Sequence, residues 1–126
     1  EDWEQHSIDL LDAVGIVERA DDLPATFSRG LKQKAAIAMA FVRPFDVMVV
    51  DEPFVGLDRP GRAALLELFR SAHADGAALL IATHELSSVA DSERVIALSG
   101  GVVTFDGPAS KADINALTEG FHPDND

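Results

Sequence analysis

The chain has 126 residues, the size of one ordinary domain, and its 47% hydrophobic and 25% charged composition is typical of a globular protein. It contains no cysteine, which excludes disulfide bonds and thiolate metal sites. Its formal net charge of −12 opposes the phosphates of nucleic acid, so we expect no nucleic-acid partner.

Two helices are predicted in the first third of the chain. The first covers Ser7–Val14 and ends at Gly15, and a polar connector follows it. The second begins at Ser28, a favoured N-cap residue, and ends before Pro44, which cannot continue a helix. The apolar residues of this second helix recur at helical spacing and predict a buried stripe: Leu31, Ala35, Ala38 and Val42.

Two apolar runs on either side of a third helix predict the strands of a parallel sheet. The first run, Val47–Asp51, is uninterrupted, which is typical of a parallel strand that is buried on both faces. Asp58 can cap the third helix, Pro60 lies in its first turn, and Gly76 ends it. The second run, Ala77–Ala82, is then a second buried strand.

The last third of the chain predicts a short helix near Glu85–Ala90, a β-hairpin, and a final helix that begins at Ser110. The hairpin would pair Arg94–Leu98 with Val102–Phe105 across Gly100-Gly101. Because strands alternate with helices along the chain, we expect an α/β fold with a parallel sheet. The first two helices would lie outside that sheet.

Two acidic residues and a histidine follow the predicted strands. Asp51 and Glu52 come where the ligand crevice of a parallel sheet opens, and an extended chain would point them to opposite sides. One could hold Mg²⁺ through water while the other orients an attacking water as a general base. His84, after the second strand, would lie beside the same crevice. The simpler interpretation is an acidic turn and a loop histidine without a catalytic role.

The start of the second helix carries cations at the end where the helix dipole favours anions. Arg29, Lys32 and Lys34 lie in its first two turns. An anion bound at the helix start would relieve this conflict, and phosphate is the usual occupant of such a position. The alternative is a serine-capped helix whose lysines point into water.

Four segments of the chain, Phe27–Leu31, Val47–Glu52, Gly56–Asp58 and Ile81–His84, carry a family resemblance. In their order, and nearly in their spacing, they resemble the motifs of the nucleotide-binding domain of ABC-type ATPases, most closely the transporter kind. The likeness extends from about Leu10 to Pro108. Phe27–Leu31 resembles the LSGGQ signature, Val47–Glu52 the Walker B strand with its catalytic glutamate, Gly56–Asp58 the D-loop, and Ile81–His84 the switch histidine.

The resemblance implies an α/β fold: the C-terminal half of a P-loop NTPase with a RecA-like core, together with part of the ABC helical subdomain. Residues 1–43 would belong to the helical subdomain and residues 44–126 to the α/β core. The Walker A loop of the family is not in this sequence, because Gly56–Ala63 has arginine and alanine where that loop needs lysine and a hydroxyl. We therefore expect a fragment of a longer ATPase that is inactive alone and exposes apolar sheet surface.

The resemblance also implies ATP and Mg²⁺ as cofactors and gives three residues a role in hydrolysis. Asp51 would organise Mg²⁺, and Glu52 would polarise the hydrolytic water. His84 would contact the γ-phosphate or that water. These assignments follow from the resemblance and not from the spacing alone.

Four further residues would contact nucleotide or partner across a head-to-tail dimer. Ser28 and the N–H of Gly30 would bind the γ-phosphate of ATP held by the opposite subunit, with Arg29 between them in the same site. Asp58 would bridge to the partner domain. The signature departs from the family pattern, since Arg29 replaces a glycine and Leu31 replaces the usual glutamine.

The implied function is that of an ATP-hydrolysing subunit that energises a membrane transporter through ATP-driven dimerisation. Its partners would be a second nucleotide-binding domain and transmembrane permease subunits, at the cytoplasmic face of the cell membrane. Two alternatives stay open: an ABC-type ATPase outside transport, and a catalytically silent half-domain that acts as a binding or regulatory module.

Overall fold

The computed structural model describes residues 2–113 together with residues 115 and 117. The chain forms two compact units, Glu1–Thr83 and His84–Asp126. The predicted boundary between a helical subdomain and a core after residue 43 stays a prediction. Within the described part of the chain, no helix has both the length and the apolar character needed to cross a membrane.

Residues 2–83 of the first unit form three α-helices and two strands. These are α1 (Trp3–Ala13), α2 (Arg29–Phe41), β1 (Val47–Asp51), α3 (Arg59–Ala74) and β2 (Ala78–Ala82), with short 3-10 helices at Val17–Arg19 and Pro24–Thr26. Ser28 caps α2 and Asp58 caps α3, as predicted, because each side chain accepts a hydrogen bond from a backbone N–H three residues later. Helix α1 begins before the predicted Ser7 because Asp2 caps it through the N–H of Gln5.

The two strands of this unit lie in parallel, which confirms the predicted sheet. Val47 is opposite Ala78, and Asp51 is opposite Ala82. Side chains of a strand alternate between the two faces of the sheet. One face of the sheet packs against the apolar residues of α1, α2 and α3, and its members are Met48, Val50, Leu79 and Ile81.

The prediction that β1 is buried on both faces is wrong for this chain. Val47 and Val49 are 65% and 69% exposed, and Leu80 beside them on β2 is 60% exposed. The core residues of all three helices form one cluster with Met48. The side chain of Met48 points to the face of the sheet opposite that of Val47 and Val49. The expected exposure of apolar sheet surface is confirmed, since a parallel sheet is ordinarily covered on both faces.

The second unit contains the predicted hairpin. Strands β3 (Arg94–Ser99) and β4 (Val102–Pro108) pair antiparallel. The two residues of the turn, Gly100-Gly101, have φ values of 56° and 77°, which a tight hairpin turn requires and glycine adopts without strain. At the open end of the hairpin, Arg94 donates two hydrogen bonds to the carboxylate of Asp106, at 2.8 and 2.9 Å.

Short helical segments flank the hairpin. The helix predicted near Glu85–Ala90 is a 3-10 helix, Leu86–Asp91, and another 3-10 helix covers Ala109–Lys111. The hydroxyl of Ser88 donates to the carbonyl of Glu85 and closes the first turn of the earlier segment. Most of the final helix predicted after Ser110 lies outside the described residues.

Candidate functional site

The two adjacent acids at the end of β1 have different environments. Asp51 is the last residue of the strand and is exposed, whereas Glu52 is half-buried and its Oε2 atom is buried. The N–H of Glu52 donates to the carbonyl of Ala82 at 2.8 Å, which extends the pairing of β1 with β2 by one residue. This difference suits separate roles for the two carboxylates.

The backbone turns at Glu52, although the sequence predicts an extended chain there. Its φ of 49° is the only positive value at a non-glycine residue in the described part of the chain. A left-handed conformation at such a residue costs about 1–2 kcal/mol. Strand alternation therefore sets the direction of Asp51 but not that of Glu52, whose carboxylate is aimed by the turn.

Two buried apolar side chains hold the turn that follows Glu52. Phe54 is 2% exposed and Leu57 is 9% exposed, and both belong to the main core. The ring of Phe54 meets that of Phe69 on α3 edge-on, with centroids 6.4 Å apart. Gly56, with a φ of 80°, lets the chain reverse between them. The loop that carries the candidate general base is therefore packed against the core.

The start of α2 has the predicted serine cap. The Oγ atom of Ser28 accepts from the N–H of Leu31 at 3.3 Å, and Ser28 and Arg29 are both exposed. Gly30 is partly buried, because its backbone lies close to the turn after β1. A Cβ atom placed on Gly30 would be 3.0 Å from the carbonyl oxygen of Gly56.

Two side chains of α2 bind the same turn. The amide Nε2 of Gln33 donates to the carbonyl of Pro53 at 2.8 Å. The ammonium of Lys34 lies 3.5 Å from Oδ1 of Asp58, and the Lys34 side chain is only 16% exposed. Part of the cation excess at the helix start is thus balanced by a carboxylate of this chain, so Lys34 does not simply point into water. The predicted anion site at the helix start stays a prediction.

Asp58 has two structural contacts in addition to its predicted role at a partner domain. Its Oδ1 atom accepts from the N–H of Gly61 at 2.9 Å, and it pairs with Lys34. The hydrogen bond from Gly61, followed by the charge of Lys34, lowers the pKa of Asp58 below its usual range. The carboxylate is therefore charged at neutral pH and caps α3 in that form.

Sequence reasoning missed Gln33, although a signal for it exists. Gln33 and Lys34 come three and four residues after Gly30, so all three residues lie on one face of α2. That spacing shows that the three residues share a contact surface. It does not identify the turn after β1 as the segment they contact.

An open cleft of about 290 Å³ lies between α2 and β1, and Asp51 is among the residues that line it. Its walls are mainly apolar, and its polar side chains are Gln33 on α2 and Asp51 at the end of β1. No group of three or more histidine, aspartate or glutamate side chains that could hold a metal occurs among residues 2–113, 115 and 117. Residues that line the cleft include Gln33, Ile37, Phe41, Met48, Asp51 and Pro53.

His84 is exposed and is the first residue of the second unit. The 3-10 helix Leu86–Asp91 begins two residues later. Its predicted position beside the water that Glu52 would orient stays a prediction. In the first unit, by contrast, the structure brings the start of α2, Glu52 and Asp58 into one neighbourhood.

Comparison with known proteins gives consistent similarities. The family described as "AAA domain, putative AbiEii toxin, Type IV TA system" matches residues 8–90. The chain is 38% identical to the octopine permease ATP-binding protein P of Rhizobium radiobacter, over 89% of the chain and 43% of that protein. It is 41% identical to the macrolide export ATP-binding/permease protein MacB of Rhodopseudomonas palustris, over 77% of the chain and 15% of that protein.

A solved structure described as that of the ATP-binding subunit of an ABC transporter superposes on the chain with a TM-score of 0.83. The two sequences are 31% identical, and the match covers 93% of this chain and 53% of the other. The chain thus spans less than half the length of the curated relatives it matches and about half of the matched structure. The α/β fold expected from the sequence is confirmed by this similarity.

Proposed function

The chain belongs to the family of ABC transporter ATP-binding proteins, and from that premise we propose that it supplies the hydrolytic part of an ATPase that drives a membrane transporter. The observation that carries this proposal is the position of Glu52, a half-buried carboxylate directly after a parallel strand. Ligands of α/β sheets bind at the carboxyl ends of parallel strands. The packed turn beyond Glu52 gives that carboxylate a fixed support.

ATP and Mg²⁺ are the proposed cofactors, and three residues would act in hydrolysis. Mg²⁺ would offset the charge of the phosphates, and it usually takes only one or two protein carboxylates, so the exposed Asp51 fits as its ligand through water. Glu52 would orient the attacking water and accept its proton. His84 would hydrogen-bond with that water or with the γ-phosphate.

The start of α2 would contact a second ATP, held by a partner domain in a head-to-tail dimer. The first N–H groups of a helix have no acceptor within the helix, and the first turn of α2 contains no acidic residue. Ser28, Arg29 and Gly30 would bind the γ-phosphate there. Asp58, 61% exposed at its side chain, would reach the partner domain while it caps α3.

The proposed partners outside the dimer are transmembrane permease subunits, which would place the ATPase at the cytoplasmic face of the membrane. The names of the similar octopine and macrolide proteins refer to a permease and to export. Closure of the dimer on ATP would then move the permease subunits. Which compound is carried depends on those subunits.

We further propose that the 126 residues alone neither bind ATP tightly nor hydrolyse it. Positioning and charge stabilisation by the phosphate-loop lysine and Mg²⁺ dominate phosphoryl transfer, and no stretch of the sequence fits that loop. Calorimetric titration of the isolated chain with Mg·ATP checks this. A micromolar dissociation constant would contradict it.

The test of the proposed function is Glu52→Gln in the full-length gene product. Loss of a general base lowers turnover by about 10²- to 10⁴-fold, and ATP binding should be retained because the amide keeps the size of the side chain. Glu67→Gln is a matched control, since Glu67 is exposed on α3 and pairs only with Arg70 among its described ion pairs. Equal turnover in the Glu52 variant would favour a catalytically silent module.

A further inference from the structure

We propose that Gln33 is a positioning residue for the hydrolysis proposed above, and that it acts by holding the turn that aims the Glu52 carboxylate. The inference rests on the proposed function, because a positioning role needs a reaction to serve. It adds a residue that the sequence motifs did not assign. The contacts of three segments, α2, the end of β1 and the turn after it, carry the argument.

The bond from Gln33 satisfies a backbone acceptor directly beside Glu52. Its Nε2 atom donates to the carbonyl of Pro53 at 2.8 Å, in a partly buried setting. Pro53 itself is buried, so its carbonyl has little access to water. A buried carbonyl without a donor costs free energy, and the Gln33 amide removes that cost.

Glu52 needs such a support because its backbone is strained. A positive φ at a glutamate persists only when the surroundings enforce it. On the amino side, the N–H of Glu52 is fixed by the carbonyl of Ala82. On the carboxyl side, the ring of Pro53 fixes its own φ, and Gln33 fixes its carbonyl. The two hydrogen bonds therefore enclose the residue whose side chain must point at the water.

Two further contacts connect α2 to the turn after β1. The backbone of Gly30 lies against the carbonyl of Gly56, and Lys34 pairs with Asp58. Since these contacts flank Gln33 along one face of α2, a shift of the helix start would be transmitted to the turn. The proposed phosphate contacts at the start of α2 and the proposed general base thus share one support, with Gln33 as the contact closest to Glu52.

The experiment replaces Gln33 by methionine in the full-length gene product. Methionine keeps the length of the side chain but cannot donate, and Gln5→Met is the matched control because the Gln5 amide bonds only to Asp9 within α1 among its described side-chain contacts. We expect Gln33→Met to lower kcat by about three- to tenfold, the range that corresponds to one neutral hydrogen bond. The KM for ATP should stay near that of the Gln5 control, and the thermal midpoint should fall by only a few degrees, because one partly buried carbonyl loses its donor.

A double-mutant cycle with Glu52→Gln separates positioning from a merely structural role. If Gln33 acts through Glu52, then Gln33→Met should not lower the residual rate of the Glu52→Gln protein any further. Gln33→Glu keeps the side-chain shape and also lacks the donor, so it should reproduce the loss of kcat and replaces the methionine variant if that protein is unfolded.

Equal kcat in the Gln33 variants and the Gln5 control would overturn the assignment, as would the same fold-loss in both Glu52 backgrounds. These results are distinct from a failure of the proposed function. If the unsubstituted gene product does not hydrolyse ATP, the proposed function is wrong. If it does, and the Gln33 variants match the control, only the positioning role is wrong.

Discussion

The contact between Gly30 and Gly56 leads to a prediction of opposite sign to the usual one for a helical glycine. Replacing a helical glycine by alanine ordinarily stabilises a protein by about 0.5–1 kcal/mol. In Gly30→Ala, however, the new Cβ would be 3.0 Å from the carbonyl oxygen of Gly56, and ordinary contact begins at 3.4 Å. The neighbour is backbone, so relief requires the helix start and the turn to separate by a few tenths of an ångström.

The expected result of Gly30→Ala is a net loss of stability. Forcing an extra carbon into a packed contact costs about 1–3 kcal/mol, which exceeds the gain from helix propensity and leaves a destabilisation of about 1 kcal/mol. Urea unfolding of the 126-residue chain, monitored by circular dichroism, measures this difference in the free energy of unfolding. Ala63→Gly, at an exposed position of α3, gives the propensity effect without a contact and should cost about 0.5–1 kcal/mol.

A Gly30→Ala protein as stable as the parent, or more stable, would show that the start of α2 is not held against the turn. The same result would weaken the argument for Gln33, since the two contacts lie on one face of the helix. A loss of stability in Gly30→Ala would agree with the contact between the start of α2 and the turn after β1. The thermodynamic measurement therefore checks the geometry before any assay of activity.

Two further predictions concern the core and the cap of α3. Leu65→Ala should destabilise the chain by about 2–5 kcal/mol in urea unfolding, because Leu65 is 1% exposed. The same change at Leu80, which is 60% exposed, should cost little. Similar losses at both positions would contradict the core described above. Asp58 has a lowered pKa, so its contribution to stability is present above its unfolded pKa of about 4 and is lost as the pH falls through the folded value. Asp58→Asn keeps an acceptor for Gly61 but should flatten the loss of stability below about pH 4, and an unchanged pH profile would contradict the lowered pKa of Asp58.

Short-range signals explain the parts of the fold that the sequence predicted. The bounds of β1, the caps at Ser28 and Asp58, and the glycine turn of the hairpin each depend on residues within a few positions of one another. Helix α1 begins earlier than the Ser7 that its apolar spacing predicts, because the side chain of Asp2 caps it. The prediction that β1 is buried on both faces is wrong for a different reason. An apolar run indicates which residues favour burial, but it does not indicate whether this chain has a segment that covers them.

The candidate site was predicted only in its residue types. The sequence placed Asp51 and Glu52 at the end of a strand, but the left-handed backbone of Glu52 depends on packing of Phe54 and on bonds from distant segments. Gln33 and Pro53 are 20 positions apart, and no local pattern indicates that they meet. Contacts of this kind are set by how α2 packs, which periodicity does not specify.

Two local conflicts in the sequence meet at one place in the structure. Cations lie at the start of α2, where the helix dipole opposes them, and a strained backbone lies at Glu52. Each is met by the other segment: Asp58 balances Lys34, and Gln33 holds the residue after Glu52. Stability alone would favour an acidic helix start and an unstrained turn, because both conflicts would then vanish. Their position side by side agrees with the proposed site, in which a phosphate binds at the helix start and the Glu52 carboxylate is aimed at water.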